Sequence, residues 1–183
     1  MSRRCFVGID PSLTGTGIAS VVDGRVRYVD RIEPASKGVQ RLLYLKQSVQ
    51  DRIAKLQPAA VCIEGYSFAS KFSRAHALGE WGGVLRVALA EMGIPTFDLP
   101  PQSLKKFATG RGDTKGKAPM ADALWQRLGS TMSLGDDEVD AVWLAFALYD
   151  QDQYAGGHDL PKHALEALDK LDTVFTPRLR RRA

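Results

Sequence analysis

At 183 residues with 44% apolar side chains, the chain is long enough for one domain with its own core and a short appendage, and too apolar for a disordered protein. The longest apolar run, Ala141 to Tyr149, is nine residues, too short to cross a bilayer, and Met1-Ser2-Arg3-Arg4 leads into a strand rather than an export signal. Cys5 and Cys62 fall in predicted strands with no Cys/His ligand spacing, which argues against zinc and for a reducing, cytoplasmic setting.

The net charge of +4 is unevenly spread. Six acids and no base lie between Gly135 and Asp152, whereas six bases and two acids lie between Pro100 and Leu128. Four arginines crowd the last seven residues, Pro177 to Ala183. Segregation of this kind suits a polyanion held on a basic surface beside an acidic, cation-loaded pocket. Solvated helix faces account for part of it equally well.

In chain order, Cys5 to Asp10 is an apolar strand that ends on a carboxylate, followed by Pro11-Ser12-Leu13-Thr14-Gly15-Thr16-Gly17. An acid at the end of a buried strand is costly unless a positive group sits beside it. The glycines let the chain turn back into Ile18 to Val22. Asp23-Gly24 and the alternation from Arg25 to Ile32 then predict a hairpin, so that strands one to three form an antiparallel meander. Ser36 to Leu56 carries a helical stripe ended by Pro58. Ala59 to Ile63 has no alternation, as expected of a central strand covered on both faces, and runs into Glu64.

Ser73 to Met92 reads as a helix with Leu78, Trp81, Leu85 and Met92 on one stripe and a second face of small residues, among them Gly79, Gly82, Gly83 and Ala90. That second face suits packing on the sheet or a helix-to-helix dimer contact. A fifth strand, Ile94 to Leu99, stops at Pro100-Pro101. Helices over 102–108 and 118–128 flank the basic, glycine-rich loop Thr109 to Lys117. Asp136 to Tyr149 is the last main helix, packed through Val139, Val142, Trp143, Phe146 and Ala147. Gly156-Gly157 then separates a short helix, Pro161 to Leu171, and the arginine tail. The expected domains are 1–155 and an appendage over 156–183.

The chemistry points to acids. Asp10 and Glu64 end two strands, and strand ends on one edge of a sheet are neighbours. On the last helix, Asp137 and Asp140 share a face at a spacing of three, as do Asp136 and Asp140 at four. Asp136 is better used as a cap at the helix start, although geometry alone favours neither pair strongly. Four converging carboxylates cannot all stay ionised without cations. Oxygen-only ligands select Mg²⁺ first, with Mn²⁺ as substitute, and two such ions about 4 Å apart would activate water against a phosphodiester.

Several pieces occur in order: Gly8-Ile9-Asp10-Pro11 with Gly15 and Gly17, Ile63-Glu64, Phe68 through Leu78-Gly79 to Gly82, Leu104-Lys105-Lys106 through Thr109-Gly110-Arg111-Gly112, Lys117, and Asp137-Glu138-Val139-Asp140-Ala141. Over roughly residues 5–150 the chain thereby resembles the RuvC family of Holliday-junction resolvases, of the retroviral-integrase/ribonuclease-H superfamily, and most of all its phage-borne branch. The resemblance implies a mixed five-stranded sheet flanked by helices, a homodimer, and paired Mg²⁺-dependent nicks, two ions per site, across a four-way or otherwise branched DNA. It implies that Asp10, Glu64, Asp137 and Asp140 bind the metal and that Lys117 lies near the scissile phosphate. Lys115 competes for that role because the preceding loop is one residue longer than the family's. The family's DNA-contacting lysine falls on Lys105, and Lys106, Arg111, Lys71 and Arg74 join the candidate DNA contacts. The junction-wedging phenylalanine of the family aligns with Ser67, which leaves Tyr66 and Phe68 as candidates for the wedge.

Two-domain actin-like ATPases share the opening Gly-Ile-Asp but need twice this length. Other nucleases of the same fold, acting on flaps or RNA–DNA hybrids, remain an alternative. A non-catalytic nucleic-acid-binding protein is disfavoured by the four intact acids.

Overall fold

In a computed structural model of the protein, residues 3–66, 72–114, 116 and 118–177 are described, with the backbone alone for 72–75. Six strands form one mixed sheet in the order β3-β2-β1-β4-β5-β6. They are β1 (Cys5–Asp10), β2 (Thr16–Val22), β3 (Arg25–Ile32), β4 (Ala60–Glu64), β5 (Thr96–Leu99) and β6 (Asp172–Phe175). The first three make the expected antiparallel meander. β1 runs parallel to β4, and β4 to β5.

The sheet has one strand more than the sequence led us to expect. β6 pairs antiparallel with β5 and follows the short helix α6 (Lys162–Leu168). Its four residues are too few to show a period, and an edge pairing of this kind is decided by what the neighbouring edge offers.

Strand alternation divides the core in two. Val7, Ile9, Ile18, Val61 and Ile63 face one side, where Leu45, Val49 and Ile53 of α1 (Gly38–Leu56) and Trp81, Leu85 and Leu89 of α2 (Phe72–Glu91) cover them. Phe6, Ala19, Val21 and Cys62 face the other. There they meet α5 (Asp136–Ala155), backed by α3 (Pro101–Thr109), α4 (Ala118–Leu128) and α6. α5 runs six residues beyond its expected end at Tyr149. Every residue from Ala141 to Leu148 is buried, as for a helix sandwiched between a sheet and other helices. Among the described residues, no helix is long and apolar enough to cross a membrane.

α5 lies unusually low on the sheet because β1 and β2 present glycine beneath it. A Cβ on Gly8 would overlap the Ala141 carbonyl oxygen and come within 2.5 Å of the Ala145 nitrogen; one on Gly17 would overlap the Asp137 carbonyl. The absence of two side chains thus sets the height of the helix that carries the acids.

Candidate active site

Parity aims the two strand acids. Asp10 follows Phe6 and Gly8 on the α5 side of β1, and Glu64 follows Ala60 and Cys62 on the same side of β4. The strands are parallel, with Ile9 opposite Ile63, so both carboxylates leave the sheet side by side at one edge. The first turns of α5 cross that edge and bring Asp137 and Asp140 to them. Asp10 lies within hydrogen-bonding reach of both Asp137 and Glu64.

The electrostatics follow from that crowding. Asp10 is only 8% exposed. Burial, then the fields of Glu64, Asp140 and Asp137, hold its carboxyl well above the usual carboxylate range. Burial and then Asp140 push Glu64 up to about 7, opposed in part by the Asp10 hydrogen bond and the Lys105 charge. Among the described residues no three His, Cys, Asp or Glu side chains are grouped closely enough to enclose an ion. The donors are nevertheless all oxygen, and carboxylates packed this tightly repel unless protons or cations come between them. By donor chemistry the set fits a hard divalent cation.

The turn after Asp10 is pinned from the far side of the sheet. The buried Trp81 Nε1 donates to Thr16 Oγ1 (3.1 Å), and that hydroxyl donates to the Ser12 carbonyl (2.8 Å). α2 is thereby tied to the loop that presents the first acid.

The other expected site residues scatter. Lys105 on α3 acts on Glu64, whereas its neighbour Lys106 turns away and pairs with Glu166 of α6 at 2.6 Å. Arg111 is exposed and lies 3.5 Å from Asp113. The Tyr66 ring rests on α2, where a Cβ on Gly82 would come within 2.7 Å of its hydroxyl, with the Arg86 guanidinium 4.4 Å from the ring centroid. Arg86 is in turn anchored on Asp98 at 2.5 Å. Phe68, Lys71, Lys115 and Lys117 lie outside the described residues, as does the side chain of Arg74. Asp136, expected as the cap of α5, is instead its first helical residue. Gly135 is the capping position, and its N–H donates to Glu138 Oε2 at 2.6 Å.

One charged residue at the site escaped sequence reasoning. Arg31, on β3, brings Nε to 3.5 Å from Asp137 Oδ2 and Nη1 to 2.8 Å from Glu33. Its signal was available, since it alternates with Val29 onto the α5 side, but an arginine in an edge strand looks like any solvated one.

Comparison with known proteins agrees with this architecture. Residues 6–146 match the family described as "Crossover junction endodeoxyribonuclease RuvC". The protein so named from Chloroflexus aggregans is 32% identical over 146 residues, covering 76% of this chain and 88% of the relative. That from Treponema denticola is 35% identical over 114 residues, but the match spans 59% of this chain and only 64% of that relative. The solved structure described as "T. thermophilus RuvC in complex with Holliday junction substrate" superposes with a TM-score of 0.71 at 23% identity, over 82% of this chain and 96% of that one, which is a likeness of fold. A family match across β1 to β5 and all four acids leaves one assignment: the chain belongs to the RuvC family of crossover junction endodeoxyribonucleases.

Proposed function

We propose that this protein is an endodeoxyribonuclease that resolves four-way DNA junctions by paired, metal-dependent phosphodiester hydrolysis. The observation that carries the reading is the cluster of buried Asp10 with half-buried Glu64, Asp137 and Asp140 at one sheet edge, with the Lys105 charge acting on Glu64. The family match, and the likeness to a structure described as bound to a Holliday junction, support the substrate.

The family is one of metal-dependent nucleases. In our reading Asp10, Glu64, Asp137 and Asp140 hold two Mg²⁺ ions, with Mn²⁺ as substitute. Bound there, divalent ions supply an activated water and charge to stabilise the leaving oxygen of the phosphodiester. The chain's own groups do the rest. Glu64 and Asp10 must release their protons for the set to bind cations. The turn that follows Asp10 is held by the hydrogen bonds from Trp81 to Thr16 and from Thr16 to the Ser12 carbonyl. Lys105, whose charge acts on Glu64, is assigned to a phosphate contact made in ground and transition states alike, so it contributes affinity more than rate. Lys117 is assigned to the scissile phosphate, where a cation acts on developing charge.

A two-fold-symmetric junction needs two such sites, and we assign the protein as a homodimer. Exposed Val39 and Leu43 of α1 and Val87 of α2, with open space at Gly79 and Gly83, supply the apolar face for a second copy. The free Cys5 and Cys62 accord with work in a reducing cytoplasm.

The test is incubation with Mg²⁺ and end-labelled four-way junction, linear duplex, flap and RNA–DNA hybrid in parallel. Symmetric nicks in the junction, and little cutting of the others, are expected. Preferential cutting of the hybrid or the flap would assign a different nuclease of the same fold.

A further inference from the structure

We propose that Arg31 is a positioning residue: seated over Gly15, its guanidinium holds the Asp137 carboxylate in the orientation that meets Asp10. The inference rests on the assignment of Asp137 as a cation-binding acid.

Three strands place the pieces in one row. Asp10 is paired with Gly17 across β1 and β2, and Gly17 with Arg31 across β2 and β3. Residues directly opposite each other point to the same face, so Arg31 and Asp10 project from the sheet on the α5 side with a glycine between them. Into that gap the first turn of α5 descends, its Asp137 backbone lying against Gly17. The Asp137 carboxylate is therefore bracketed, with Arg31 Nε 3.5 Å from Oδ2 on one side and Asp10 within hydrogen-bonding reach on the other.

The seat of the guanidinium is also built. A Cβ on Gly15 would overlap Arg31 Nε and lie 2.5 Å from Nη2 and 2.6 Å from Cζ. Gly15 does not adopt the left-handed backbone that favours glycine, so what the glycine provides here is space. Glu33 holds the far side of the guanidinium at 2.8 Å. Because the Arg31 side chain is 40% exposed, the ion pair adds little to folding stability. Orienting a ligand is the effect it has left to exert, and groups that orient metal-binding side chains typically change metal affinity about 10- to 100-fold when removed.

Two variants attack the arrangement from opposite ends. Arg31→Met removes the charge and keeps the stem. Gly15→Ala keeps the charge and displaces the guanidinium, whose flexible end can move without unfolding the protein. Both are compared with wild type and Asp137→Asn by Mn²⁺ titration of the DNA-free protein, by junction affinity in chelator, and by kcat and KM at several Mg²⁺ concentrations.

Both variants are expected to weaken Mn²⁺ binding about tenfold. They should lower kcat at limiting Mg²⁺, with recovery as Mg²⁺ rises, and leave KM and chelator-state junction affinity unchanged. The double variant should be no worse than either single one, as for one shared interaction. Sign makes the test sharp: deleting a cation near four acids would by charge alone tighten Mn²⁺ binding. Tighter binding in Arg31→Met with none of the effect in Gly15→Ala would overturn the proposal. So would loss of junction affinity with Mn²⁺ binding intact, which would make Arg31 a phosphate contact. If Asp137→Asn itself binds Mn²⁺ like wild type, the fault lies in the assignment of Asp137. Thermal midpoints within a few degrees of wild type establish that each variant is folded.

Discussion

Glu64 at about 7 means that the folded protein holds this proton more tightly than an unfolded chain, where an ordinary glutamate titrates near 4.5. Its ionisation therefore works against folding. In chelator, the stability it supports is fully present below about pH 4.5, declines as pH rises to about 7, and is flat above. The difference reaches at most about 3 kcal/mol. Urea unfolding of wild type and Glu64→Gln across this range should show wild type losing ground to the variant; parallel curves would mean that Glu64 is not so perturbed. The same proton competes with cations, so cleavage at limiting Mg²⁺ should fall as pH drops, with the midpoint moving to lower pH as Mg²⁺ is raised. On α5, Asp137→Asn and Asp140→Asn should abolish cleavage while leaving junction binding largely intact. Asp136→Asn should cost little, since Glu138 serves as the cap contact. Full activity in Asp137→Asn with none in Asp136→Asn would reverse the assignment.

At the scale of elements, the height of α5 over β1 and β2 decides whether four acids meet. Gly17→Ala should lift its first turn, because the new methyl group meets the Asp137 carbonyl, a backbone atom that cannot swing aside. The expected cost is about 1–3 kcal/mol of stability and a larger, at least tenfold, loss of cleavage measured under folded conditions. An active variant would show that α5 is not held by this contact. α2 serves two masters: its buried side carries Trp81 to Thr16 and so to the Asp10 turn, while its open side carries Val87. Val87→Glu should yield monomers in sedimentation and slow paired nicking; persistence of a dimer at micromolar concentration would move the interface elsewhere.

Across the whole molecule, charge is laid out around that edge. Lys105 acts on Glu64, while Lys106 pairs with Glu166 of α6. β6 runs antiparallel to β5, placing Asp172 beside Asp98 and Phe175 beside Thr96. The chain therefore leaves β6 at the end of the sheet away from Glu64. Removing Arg178 to Ala183 should weaken binding to junction and duplex about equally and flatten the dependence of log affinity on log salt. An unchanged slope would assign the tail to something other than phosphate.

Strand parity, the hairpin at Asp23-Gly24, the long helices and the acid-x-x-acid spacing were legible in the sequence because each depends on neighbours within a few residues. Asp10 and Glu64 could be named for the same reason: each ends an apolar run. What the sequence could not specify is which distant surface a side chain meets. Asp136 is compatible with capping until the helix start is fixed at Gly135 and Glu138 takes the role. Lys105 and Lys106 are equivalent along the chain, and only the packing of α6 on α3 separates them. Nothing along the chain tells that the Tyr66 ring lies over Gly82 and beside Arg86. β6 is four ordinary residues until β5 offers an edge. Arg31 is one of many exposed arginines until Gly15 and Gly17, glycines on two sides of it, turn out to be the space that it and Asp137 occupy. Local periodicity is written in the order of residues, but the contact of one element with another is decided by three-dimensional packing, and here the acid cluster is set by where side chains are missing.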